Sequence, residues 1–408
     1  MTDRTILRDL AKQYTAIAQS EAQKPIPELY RALNRLKPIR PVVLMDEIPW
    51  GQFSDCDELR LQCEGEFERQ CEDFFRKELY RHCHFPVDRL FENRFPLHRS
   101  ISIGSFGIDV SESILAFDDG GISSHAYRDQ LPSEDAIAKL HTPEITEDEA
   151  DNARRLDRAQ ALFGDILPIK MIGLEYVGFY EPWDNIATWR GVEPLLWDLV
   201  DEPEFMHHLM ERLLEIRLEL LAIAEQRNLL EPAGTLIHCT AGLADELPGE
   251  MPDGRVTRRN LWGRGAAQIF STVSPAMHEE FEIAYAQRFF QGFGLTYYGC
   301  CEPLDRKIDI IRALPNLRKI SITPWADVDR AADQIGSDYV LSGKANPAFL
   351  ASPSLDESAV RKEIDCILTA CRRNHTPVEL VLKDVSSVGH NPKNLDQWAK
   401  IAMEAVQD

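Results

Sequence analysis

The chain is short of positive charge. Its 408 residues carry 45 Lys+Arg against 67 Asp+Glu, a formal net charge of −22. A surface so acidic is poorly suited to nucleic acid, whose phosphates are held by basic groups. Polybasic patches of the kind that hold proteins on anionic membranes are missing as well. No apolar run approaches the ~20 residues needed to span a bilayer. The first residues, MTDRTILRDLAKQYTAIAQSEAQ, are charged and amphipathic, with no apolar core and no small-residue cleavage site, so they do not read as a signal peptide. The nine cysteines are scattered along a long chain, unlike a secreted disulfide framework. A reducing cytoplasm is the expected location. No G-x-G-x-x-G fingerprint follows an early strand, which argues against a dinucleotide-binding open sheet.

What the sequence does have is a repeat of short apolar runs and helical stretches. The first forty residues are expected to form a helical extension (1–40), with Leu7, Leu10, Ala11, Tyr14 and Ile17 at helical spacing. Eight β-runs are expected, at 41–46, 101–110, 166–174, 234–240, 294–300, 317–323, 338–343 and 378–385. Between them lie helical patterns such as Met206, Leu209, Leu213, Ile216 and Leu220 on one face. The fold class is therefore α/β: a (β/α)8 TIM barrel over 41–408, with insertions in the early βα units. A doubly wound sheet is the alternative.

Chemistry in a barrel sits at the C-terminal ends of the strands. Three stretches there carry ligand-type residues. YYGCCEPLD places Cys300, Cys301 and Glu302 after a β-run; thiolates and carboxylates are zinc ligands. Adjacent residues of an extended strand point to opposite faces, so both thiols reach one ion only if the chain turns there. The plainer reading is two thiols packed as small hydrophobes. IHCTAGLADELPGE brings His238 and Cys239, then Asp245 and Glu246; alone, it reads first as a core Cys beside a hydrogen-bonded His and two solvated acids, and it gains weight because the next β-run carries Cys300. DVSSVGHNPKNLDQW brings His390 shortly past the last run. WGRGAAQIFS is either an anion-binding turn at a helix start or a tight loop. Trp50 and Trp325 are candidate aromatic walls. His82 and His84 look metal-like but fall in a helical insertion.

From about Pro232 onward, and more loosely from Pro41, the sequence resembles the uroporphyrinogen decarboxylase-like superfamily. The likeness rests on ADELPGE, WGRGAAQIFSTVSPAMHEEFEIAYAQRFF and GLTYYGCCEPLD in series. ISITPWADVDRAADQIGSDYVLSGKANPAFL and VSSVGHNPKNLDQWAKIAMEAV extend it. The resemblance implies a (β/α)8 barrel. The decarboxylase branch carries an Arg-rich motif after the first strand, whereas VVLMDEIPWGQF stands here, and Asp46 and Glu47 would repel a polycarboxylate. The other branch contains cobalamin-dependent methyltransferases. It implies zinc, a methylated substrate such as a methoxylated compound, and methylcobalamin or another corrinoid supplied by a partner protein. Cys300 falls on that branch's strand-end Cys, Tyr298 stands in place of its His, and His390 in place of its final Cys. The metal set implied is drawn from His238, Cys300, Cys301, Glu302 and His390, with Asp245, Glu246 and Tyr298 around the substrate. No D-x-H-x-x-G cobalamin signature occurs, so the corrinoid would come from a separate corrinoid protein. A lyase acting on a smaller carboxylic acid and a non-catalytic barrel are the alternatives. A homodimer stays open.

Overall fold

A computed structural model describes residues 2–53, 55–115, 124–247 and 254–407. Nine strands, all parallel to their neighbours, build its centre. They are β1 (Val42–Met45), β2 (Phe95–His98), β3 (Ile169–Ile172), β4 (Phe179–Tyr180), β5 (Trp262–Gly265), β6 (Leu295–Tyr298), β7 (Leu317–Ile322), β8 (Val340–Lys344) and β9 (Val378–Leu382). Seven of them form one sheet in the order β1-β9-β8-β7-β6-β5-β4, and β2 pairs with β3 separately. Strands β1, β5, β6, β8 and β9 are buried at every residue, as parallel strands covered by helices should be.

The sequence of neighbours is that of a barrel, but hydrogen bonding does not close the ring. Among the described residues no ladder joins β1 to β2 or β3 to β4. The chain turns away just after β3, where Leu174 bridges Leu230 instead of a strand partner. A Cβ at Gly173 would lie 2.3 Å from the Leu229 carbonyl, so this close approach needs glycine.

Two expected β-runs are not barrel strands. The 101–110 run is a strand only over Ile101–Ile103, paired antiparallel with Ile145–Glu147. Its alternation is that of a solvent-facing ribbon, and Ile103 is exposed. The 234–240 run is a tight antiparallel hairpin of Leu236–Ile237 with Thr240–Ala241. Strands β2, β4 and β5 stand where none was expected.

The expected helices form. Pro203–Gln226 buries Met206, Leu209, Leu213, Ile216 and Leu220. The helical stretch from Pro275 ends near Gly292, at φ 87°, and contains a π-helical turn over Glu279–Ile283. The N-terminal helix Asp3–Ala18 shares a core with β2, β3 and the helix Glu66–His84: Leu7, Leu10 and Tyr14 pack with Phe75, Phe95 and Phe163. No helix of the described residues is long and apolar enough to cross a membrane.

Candidate functional site

The C-terminal ends of β1, β6 and β9 deliver Asp46-Glu47, Cys300-Cys301 and Lys383-Asp384 to one mouth, and the 236–241 hairpin delivers His238-Cys239. The hairpin is held from below by a network inside the barrel. Glu379 of β9 accepts from the Thr240 hydroxyl and from the Ala241 N–H at 3.2 Å. Lys319 of β7 donates to the Ala241 carbonyl at 2.7 Å and pairs with Glu379 at 3.2 Å. Lys344 of β8 donates to the Cys239 carbonyl at 3.0 Å. These ties hold His238 and Cys239 at φ 25° and 61°, a region that disfavours non-glycine residues.

The turn that two adjacent thiols require is present. Gly299 has φ 101°, and a Cβ there would meet the Leu304 side chain at 2.5 Å. Past it, the Cys300 and Cys301 sulfurs lie 3.6 Å apart. Cys300 Sγ is 3.7 Å from His238 Nε2 and 3.0 Å from Lys383 Nζ. Cys301 Sγ is 3.3 Å from Asp384 Oδ2, and Lys383 bridges to Asp384 at 2.7 Å. Glu47 accepts from the Asp384 N–H at 3.1 Å and lies 3.9 Å from His238 Nδ1.

The electrostatics separate these groups. A hydrogen bond from Cys301, then His238 and the Lys383 ammonium, outweigh burial and push the Cys300 thiol down to about 3. Cys301 moves up, because it is hydrogen-bonded to the Cys300 thiolate and buried. Cys239 also moves up, through burial and the nearby Asp46. Burial and the neighbouring Asp384 raise Glu47. Cys300 is thus the thiolate of the cluster.

The other candidates are placed as follows. Glu302 is fully buried, and its two oxygens accept the N–H groups of Cys300 at 3.0 Å and Ala267 at 3.1 Å. It braces the cysteine loop, and burial lifts its carboxyl to about 6. Tyr298 faces outward from the barrel, with its hydroxyl 2.7 Å from His278 Nε2. Asp245 pairs with Arg35 at 2.6 Å and Glu246 with Arg318 at 2.8 Å, on the hairpin's far side. The Pro248–Glu250 end of ADELPGE lies outside the described residues. His390 sits in an exposed turn at φ 58°, and no contact joins it to the cysteines. His84 bonds Glu58 at 2.8 Å, away from the mouth.

Glu47, Lys383 and Asp384 were not singled out as ligands or partners of the thiols. Glu47 had a signal in its place after the first β-run. Lys383 and Asp384 were hidden inside a run read as strand to 385; β9 ends at Leu382.

Among the described residues, Glu47, His238 and Cys239 offer donor atoms all within 4.8 Å of one another. Cys300 lies outside that group: it approaches His238 from the Nε2 side, whereas Glu47 faces Nδ1. A tetrahedral zinc, with Zn–S near 2.3 Å and Zn–N near 2.0–2.1 Å, separates its donors by roughly 3.4–3.8 Å. The Cys300–His238 and Cys300–Cys301 separations of 3.7 and 3.6 Å fall in that range. The thiol and imidazole chemistry suits zinc, and each of these two pairs has the separation of two zinc donors. A cavity of about 520 Å³ opens beside Glu47, His238 and Cys239, between β1 and β2, with Trp50 and Tyr176 in its walls.

No family model matches the chain. No curated protein matches it either. Among solved structures it is similar to a methyltransferase from Methanosarcina mazei, at 12% identity and a TM-score of 0.49, over 93% of this chain and 98% of that one. It is also similar to a B12-independent methionine synthase from a Shewanella species, at 9% identity and a TM-score of 0.32, over 75% of this chain and 76% of that one.

Proposed function

We propose that the protein is a zinc-dependent methyltransferase that moves a methyl group between a small methylated substrate and a corrinoid carried by a partner protein. The single observation that carries this reading is the Cys300 sulfur, set at hydrogen-bond range of His238, Cys301 and Lys383 at the barrel mouth. His238 Nε2 and Cys300 would hold the metal, with Cys301 beside Cys300, and Glu47 would face the other ring nitrogen and steady the imidazole. When bound there, zinc supplies a Lewis acid for the heteroatom that bears the methyl group.

The chain's own groups prepare that chemistry. Cys301 and Lys383 keep Cys300 ionised before any metal arrives. Glu302 holds the Cys300 backbone, and the Lys319–Glu379–Lys344 network holds His238. Glu47 and Asp384 lie in contact beside the sulfurs, the Glu47 carboxyl raised by burial and by Asp384, and Asp384 lowered to about 2 by Glu47 and Lys383. The adjoining cavity gives a small substrate a walled approach. A methoxylated compound is the substrate class proposed, with transfer towards the corrinoid.

Metal analysis of untagged protein tests the reading. Wild type is expected to hold about one zinc per chain. His238→Ala and Cys300→Ser are expected to hold little, and chelation should abolish methyl transfer to a corrinoid protein. Protein without stoichiometric metal, or activity indifferent to chelators, would refute it. Release of CO2 from a carboxylic acid in place of methyl transfer would put a lyase in its stead.

A further inference from the structure

The WGRG stretch, expected as a turn, is strand β5. Gly263 and Gly265 face the helices, and Phe290 packs there so closely that a Cβ would meet its ring at 2.5 and 3.0 Å. Arg264, between them, therefore points into the barrel, and it is 1% exposed. Its Nη1 pairs with Glu181. Its Nε and Nη2 have no hydrogen-bond partner among the described residues. Directly opposite on β6 stands Tyr297, fully buried, whose hydroxyl also lacks a partner. Opposed residues of paired strands share a face, so both side chains enter the barrel interior from adjacent strands. Buried donors without acceptors are rare, and each such pair calls for an explanation.

Arg264, Lys319 and Lys344 bring three cations to this interior against the two carboxylates of Glu181 and Glu379. Lys344 lies 5.6 Å from the Tyr297 ring centre and donates to Cys239 and Ser342 rather than to a carboxylate. The Phe179 ring lies 5.1 Å from the Arg264 guanidinium and 6.2 Å from the His238 ring, which ties Arg264 to the candidate ligands. Arg264 also acts electrostatically on Cys300.

We infer that Arg264 and Tyr297 form an oxyanion subsite beneath the mouth, which takes a carboxylate of the substrate on Nε, Nη2 and the tyrosine hydroxyl. The inference rests on the reading of the mouth as a substrate site, and it narrows the substrate to a carboxylate-bearing methyl donor. The Nε and Nη2 edge presents two parallel N–H groups, the geometry that meets both oxygens of a carboxylate. A neutral acceptor with one oxygen would leave that fork half used.

Calorimetric titration of the full chain with benzoate, and with benzamide as its neutral counterpart, is the test. No corrinoid is added, so failure of methyl transfer and failure of the subsite are read separately. Benzoate is expected to bind and benzamide not. Arg264→Met should weaken benzoate by about tenfold to a hundredfold, and Arg264→Lys should restore part of it. Tyr297→Phe, which removes one oxygen and no volume, should weaken it by about threefold to tenfold with zinc content unchanged. Equal binding of benzoate and benzamide, or benzoate affinity untouched by Arg264→Met, would overturn the subsite. If Arg264→Met fails to fold, Tyr297→Phe decides, and an unchanged affinity there overturns it.

Discussion

His278 shows how a single side chain can set a pH limit far from the mouth. It is fully buried, and its Nε2 lies 2.7 Å from the hydroxyl of Tyr298. Burial, with Lys307 nearby, depresses its pKa from 6.5 to about 3. The imidazole is therefore neutral in the fold and takes up a proton on unfolding below pH 6.5. Its contribution is fully present above the unfolded pKa and is lost as pH falls from 6.5 towards 3, at about 1.4 kcal/mol per unit. Urea denaturation of wild type and His278→Gln at pH 7 and pH 5 checks this. Wild type should lose about 2 kcal/mol more than the variant over that interval. Equal losses would show that His278 does not titrate on unfolding. Tyr298 is expected beside the substrate only because the resemblance sets it in the place of a ligand His. The pleat sends it outward, to His278 and to Glu282 at 3.4 Å, while Tyr297 takes the inward place.

At the scale of elements, the parts legible in sequence were those with one dominant signal. Long amphipathic helices and the buried runs of β6 to β9 were read correctly because their spacing or apolarity is unambiguous. Strand β5 was missed because Gly263 and Gly265 weaken β propensity, although they are there to admit Phe290. The 234–240 hairpin looked like a strand because nothing local marks His238 and Cys239 as positive-φ residues. What bends them comes from β7, β8 and β9, more than 70 residues away in the chain. Glu379 is the centre of that network, and both it and Lys319 are fully buried. Glu379→Leu would leave the Lys319 ammonium without its carboxylate and should cost about 3–5 kcal/mol in denaturant-derived stability. Lys319→Met with Glu379→Leu should recover part of that, since Lys344 is then the one ammonium of the network left without the carboxylate. If the single variant were as stable as wild type, the hairpin would not depend on this ion pair.

Apart from two smaller apolar clusters, the described residues form two large cores that meet at the cavity. One lies behind the seven-stranded sheet. The other gathers the N-terminal helix, the helix Glu66–His84 and the β2–β3 pair. The second is tied to the first by packing and scattered hydrogen bonds, such as Asp88 N–H to the Val43 carbonyl at 2.9 Å, and no strand ladder joins them among the described residues. A unit joined without a ladder can open without breaking the sheet. Leu7, fully buried on the helix Asp3–Ala18 within that second core, is the place to test it. Leu7→Ala should cost about 2–5 kcal/mol locally, the range for emptying a buried leucine site. Amide exchange measured residue by residue should then accelerate over Phe95–His98 and Ile169–Ile172, while Val340–Lys344 and Val378–Leu382 keep wild-type protection. Acceleration by one common factor across all four strands would mean that the two cores unfold as one. Because Trp50, Glu47 and His238 stand where the two cores meet, a separately opening second core would also make the cavity's outer wall its movable part.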